Sequence, residues 1–289
     1  MKKLILLFSI VILLTGCFSN KQEEETESLV NTVSIGENSM DYVKFGNGSK
    51  VFVIIPGLSI HSVMGSAEAI KEAYNDFSEE YTVYLFDRAK NISDGYSIED
   101  MAKDTANAMK NLGIEKAYIF GASQGGMIAE YIAIDYPELV EKLVLGSTLS
   151  KPNDTANNLI NGWITLAKEK DEDGLLNSFV ENVYSKNTLD AYKDTLISAN
   201  KGITDEEYER FIILAKAIET FDCYDKLNEI KCPVLVLGSN GDKVVTPAGS
   251  TEIAEAINCD IYMYEDTYGH GVYDEAADYK QRILDFFNK

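Results

Sequence analysis

The chain has 289 residues, 45% hydrophobic and 25% charged, a balance that fits a globular protein and argues against a disordered one. Its net charge of −21, with no Lys/Arg cluster to offset it, argues against nucleic acid or anionic lipid headgroups as partners. The four cysteines form no CxxC and no Cys/His pattern of ligand spacing, so nothing in the sequence calls for a metal.

The chain opens MKKLILLFSIVILLTGC. Lys2 and Lys3 form a basic start and Leu4 to Leu14 an apolar run of about 11 residues, too short to cross a bilayer easily. This predicts a secretory signal over residues 1–16. Its ending, Leu14-Thr15-Gly16-Cys17, resembles the lipobox of bacterial lipoproteins. That resemblance implies a lipid on Cys17 and a membrane-anchored protein on the extracytoplasmic face. The acidic stretch after it, to Ser28, has almost nothing to bury and is expected to act as a tether.

From Leu29 onward strands and helices alternate. Asn31–Ile35 and Asp41–Phe45, around Gly36-Glu37-Asn38, predict an antiparallel hairpin. Apolar runs of strand length follow at Val51–Pro56, Tyr81–Phe86, Ala117–Phe120, Leu143–Leu145, Val234–Leu237 and Ile261–Tyr264. Runs without polar alternation are what strands show when both faces of their sheet are covered. Between them lie helical patterns. Ile98, Met101, Ala102, Thr105, Ala108, Met109 and Leu112 recur at helical spacing, opened by Ser97 with Asp100 and closed by Gly113. A second helix is expected over Gly126–Tyr136, stopped by Pro137. The alternation predicts an α/β fold with a mostly parallel sheet. Residues 151–222 break it: NLINGWITLAK, GLLNSFVENVY and EEYERFIILAKAI are helical in period, and no strand stands among them. The expected organisation is an α/β core of 29–150 and 223–289 with a helical insertion of 151–222.

Gly121-Ala122-Ser123-Gln124-Gly125 sits where a strand should turn into a helix. A turn that sharp strains the central residue and brings the positions two before and two after it together, so glycine is needed at both. The serine hydroxyl then projects beside a helix N-terminus, whose amides favour developing negative charge. A serine nucleophile needs a base, and the base an orienting acid. There are two histidines, His61 after the strand ending at Pro56 and His270 after the last strand. Asp242, in the glycine-rich loop after Val234–Leu237, is the acid candidate, and Asp266 is its rival. The oxyanion donors are expected to be the backbone N–H groups of Gln124 and Leu58. Cys223, Cys232 and Cys259 are expected to be thiols, although a Cys232–Cys259 pair is conceivable.

The stretches IIPGLS, YSIEDMAKD, LGIEKAYIFGASQGGMIAEYIAIDYPELVEKLVLGST, CPVLVLGSNGDKVVTP and YGHGVYDE resemble the α/β-hydrolase fold-1 family. The resemblance implies an eight-stranded sheet, a helical cap over the site, and Ser123, Asp242 and His270 as a catalytic triad. The family order of serine, acid and histidine favours His270 over His61. It implies hydrolysis of a small acyl ester through an acyl-enzyme, with no cofactor or metal. A small-peptide aminopeptidase or a thioesterase of the same fold is the alternative, and a non-catalytic ligand-binding lipoprotein a third. Two departures stand out. Pro56-Gly57 replaces the family's His-Gly, and Asp87 to Ser93 lacks the glycines of the usual D-x-R-G-x-G-x-S loop. Of the insertion's aromatic residues, Trp163, Phe179, Tyr184 and Phe211 line an acyl pocket or fill the core.

Overall fold

Eight strands form one sheet in a computed structural model that describes residues 29–289. The predicted signal segment, Cys17 and the tether lie outside the described residues. The chain begins with the expected hairpin, β1 (Val30–Ile35) and β2 (Asn38–Phe45), turning at Gly36 with a positive φ of 71°. Then come β3 (Lys50–Ile55), α1 (Ala67–Ala73), β4 (Tyr81–Ala89), α2 (Ile98–Asn111), β5 (Ala117–Ala122), α3 (Gln124–Asp135) and β6 (Val140–Gly146). Four helices follow: α4 (Asp154–Glu169), α5 (Glu172–Val183), α6 (Lys186–Ala199) and α7 (Asp205–Glu219). The chain ends with β7 (Val234–Ser239), α8 (Thr246–Ile257), β8 (Asp260–Tyr264), α9 (Val272–Glu275) and α10 (Tyr279–Phe287).

The strand order is β1-β2-β4-β3-β5-β6-β7-β8. β2 runs antiparallel to both of its neighbours, and every pair from β4–β3 onward is parallel. Alternate residues of each strand serve opposite faces. Val53 and Ile55 pack with α2, α3 and α8, while Phe52 and Ile54 pack with α1 and α10. That double burial is why these strands read as unbroken apolar runs. The Ser97–Asp100 capping box that opens α2 forms as expected.

From β3 the chain first goes to β4 on one side and then crosses to β5 on the other. The carboxyl ends of β3 and β5 therefore flank a topological switch point, where open α/β sheets form their crevices. The loops after these strands carry Leu58 and Ser123.

Candidate active site

Ser123 joins β5 to α3 with φ 53° and ψ −122°, a conformation that strains a residue with a side chain. The surroundings hold it there. Its N–H donates to the Gly146 carbonyl at 2.8 Å, and its carbonyl accepts the Thr148 hydroxyl at 2.8 Å. The flanking glycines are required by contact. A Cβ on Gly121 would lie 2.3 Å from the Gly125 carbonyl oxygen, and one on Gly125 would lie 2.0 Å from that of Ile55. The approach of positions two before and two after the serine is therefore present.

Asp242 and His270 meet, although the chain places them in different loops. His270 Nδ1 lies 2.8 Å from Asp242 Oδ2, and both residues are buried. The other oxygen, Oδ1, accepts the N–H groups of Val244 at 2.8 Å and Val245 at 3.0 Å. With one oxygen fixed by the backbone, the second is aimed at the ring, which leaves Nε2 as the free nitrogen of His270. Ser123 and His270 line the same cavity, of about 250 Å³. Asp266, the rival acid, does not pair with the ring, and its backbone carbonyl packs against Gly241 instead.

The two expected oxyanion donors lie on the two segments that flank the switch point, the loop after β3 and the start of α3. Gln124 is the first residue of α3, so its N–H lacks an intrahelical acceptor. Leu58 borders the cavity in the loop after β3. Among the described residues, neither amide donates to another backbone group outside the regular elements. Arg88, the last residue but one of β4 in the segment that departs from the family loop, is buried here. Its guanidinium donates to the Pro56 carbonyl at 2.6 Å and to the Gln124 side-chain oxygen at 3.3 Å. Gln124 in turn donates its side-chain N–H to the Leu214 carbonyl of α7 at 2.7 Å. Arg88 thus ties the loop after β3 to α3, and Gln124 ties α3 to the insertion. Burial lowers the Arg88 pKa to about 10, and it stays charged at neutral pH.

The insertion forms a wall of the cavity. Trp163, Phe179 and Tyr184 line it, whereas Phe211 is buried in the core behind. Two contacts fasten the His270 loop to the α5–α6 connection. Gly271 N–H donates to the Val183 carbonyl at 2.8 Å, and Glu275 accepts the N–H groups of Ser185 at 2.8 Å and Gly269 at 2.9 Å.

His61 lines the same cavity and joins the loop after β3 to the insertion. Its Nδ1 lies 2.7 Å from Glu207 Oε1 on α7, and its Nε2 lies 2.9 Å from the Asn200 carbonyl. Two acceptors require two ring protons, so this geometry holds an imidazolium. Burial opposes the charge, but the Asn200 carbonyl and Glu207 carboxylate outweigh it and raise the pKa above the usual 6.5. Cys223, Cys232 and Cys259 are free thiols.

Arg88, Glu207 and Glu275 escaped the sequence reading. Arg88 alone had a local signal, as the basic residue next to Asp87 in a loop that lacks the family's glycines. The bonds of Glu207 to His61 and of Glu275 to Ser185 join residues far apart in the chain, and no local pattern records them.

A family model described as the alpha/beta hydrolase fold matches residues 50–277. A protein of Serratia proteamaculans described as a proposed carbamate hydrolase, RutD, is 28% identical over 227 residues, covering 71% of this chain and 80% of its own. Among solved structures, an α/β hydrolase enzyme from a Medee basin deep-sea metagenome superposes with a TM-score of 0.81 at 22% identity, over 90% of this chain and 98% of its own. The enol-lactonase of Burkholderia xenovorans gives a TM-score of 0.78 at 18% identity, over 90% of this chain and all of its own.

Proposed function

The chain belongs to the alpha/beta hydrolase fold family, and from that premise we propose that it is a serine hydrolase cleaving small acyl esters. The carrying observation is the strained Ser123 beside a cavity that it shares with the buried Asp242–His270 pair. In this reading Ser123 Oγ attacks the acyl carbonyl while His270 Nε2 takes its proton. Asp242 fixes the ring tautomer and stabilises the imidazolium. The Leu58 and Gln124 amides hold the oxyanion, each contributing about 3 kcal/mol in the transition state. His270 then protonates the leaving alcohol, and water, activated by the same ring, releases the acyl group. The donor set asks for no cofactor. The similarity to proteins named for carbamate and lactone chemistry brings those substrates into the panel, since both present an acyl carbonyl to the same nucleophile.

Residues 151–222 serve in this account as a cap that selects the substrate. Cys17 would carry the lipid anchor that keeps the enzyme at the outer face of the membrane, a reading supported by the signal pattern of residues 1–17. Steady-state hydrolysis of p-nitrophenyl acetate tests the catalytic part. Ser123→Ala and His270→Ala should each lower kcat by at least about 10³-fold with the fold retained. Turnover by Ser123→Ala near the wild-type rate would end this reading.

A further inference from the structure

The cavity does not stop at Ser123. Its wall continues to Ile54, Leu85 and Phe120, which belong to the core on the α1 and α10 face of the sheet. Tyr74, Tyr273 and Asp274 line the same space. Asp274 lies on α9, the short helix that follows His270 directly. Its carboxylate stands beside three aromatic residues of that wall, Tyr74, Tyr184 and Tyr273. Asp274 has no hydrogen bond to its side chain among the described residues.

Lys280 attracts it but is engaged elsewhere. The Lys280 ammonium donates to the Tyr273 carbonyl at 2.9 Å and faces the Tyr74 ring 5.3 Å from its centroid. It reaches Asp274 only as a longer-range attraction. Burial raises the Asp274 pKa to about 6 against that attraction, leaving a carboxylate that is partly open to the cavity and mostly ionised at neutral pH. Such a carboxylate gains from any cation that enters the cavity, and tyrosine faces add cation–π attraction.

We propose that Asp274, with Tyr74, Tyr184 and Tyr273 beside it in the cavity wall, forms a subsite for the ammonium group of a cationic acyl substrate. The inference rests on the hydrolase reading of Ser123 and narrows its substrate class. The net charge of −21 supports it by raising the local concentration of cations over anions.

Two substrate pairs test it with the intact protein, each placing the charge on one side of the scissile bond. Acetylcholine against 3,3-dimethylbutyl acetate charges the alcohol side. Alanine p-nitroanilide against propionyl p-nitroanilide charges the acyl side. One pair should show kcat/KM at least about tenfold higher for the cation. Asp274→Asn should bring that ratio close to one, and Asp274→Glu should restore part of it. No preference for the cation in either pair would overturn the inference, as would a preference that survives in Asp274→Asn. The wild-type ratio stands even if the variant does not fold. If no substrate is turned over, calorimetric titration of choline against 3,3-dimethylbutanol decides. Selective choline binding keeps the subsite while the hydrolase reading falls, and equal or absent binding of the two removes the subsite.

Discussion

Replacing Gly125 by alanine should disable catalysis in a protein that still folds. The new Cβ would stand 2.0 Å from the Ile55 carbonyl oxygen and 2.6 Å from that of Pro56. A relaxed carbon–oxygen contact is about 3.3 Å or longer, so α3 and the loop after β3 must separate by about 1.3 Å. Both partners are backbone, and neither has a rotamer that moves aside. The two proposed oxyanion donors sit on the two sides of that gap, Gln124 at the start of α3 and Leu58 just beyond Pro56. A misplacement of about 1 Å costs about 10²-fold in rate, and loss of one donor about 10²- to 10³-fold. The overpacking itself should destabilise by about 1 to 3 kcal/mol, which a domain of ordinary stability survives. The assay is kcat for p-nitrophenyl acetate together with urea unfolding. A fall in kcat of about 10²-fold with a clear cooperative transition is expected. A folded variant within about threefold of wild type would refute the reasoning, because the oxyanion site would then tolerate a separation it should not.

Glu130 on α3 is fully buried, with the Ser150 hydroxyl at 2.8 Å and the Cys223 thiol at 3.1 Å, and burial raises its pKa to about 8. A raised folded-state pKa favours the protonated form, so its contribution is complete below about pH 4.5 and is lost as pH rises toward 8. Glu130→Gln should remove a slope of about 1.4 kcal/mol per pH unit from urea-derived stability in that window, and parallel profiles would refute this. His61, whose pKa is raised, should fasten the insertion below its unfolded value near 6.5 and release it as pH climbs through the folded one. Glu207 and Glu172 face it from α7 and α5, and Asp87, Arg88 and Arg210 stand nearby. Amide exchange at the α6–α7 junction should rise with pH beyond its intrinsic base dependence in wild type and lose that excess in His61→Gln. An equal excess in both proteins would remove the latch.

The sheet was legible because its strands are buried on both faces, and such runs as Val51–Pro56 need no long-range information to be seen. The elbow was legible for a related reason, since the strain at Ser123 demands glycines at fixed offsets. The insertion was legible only in part. Its sequence shows three helical runs, yet four helices form, and α6 went unnoticed. Only Thr188 and Leu196 of α6 are buried, too few to print a periodic stripe. Helix α1 was missed because it has only seven residues. The site was readable where family motifs run along the chain, as at Ser123 and in the loops of Asp242 and His270. It was not readable where the partner is distant in sequence. The Arg88 bond to Pro56, the His61 bond to Glu207 and the Glu275 bond to Ser185 are products of the fold.

The most direct measurement is fluorophosphonate labelling read by intact mass, with peptide mapping of the modified residue. The account predicts rapid addition of one label at Ser123, absent in Ser123→Ala and strongly slowed in His270→Ala. A folded protein that takes no label, or that takes it on another residue, would contradict the assignment of Ser123 as an activated nucleophile.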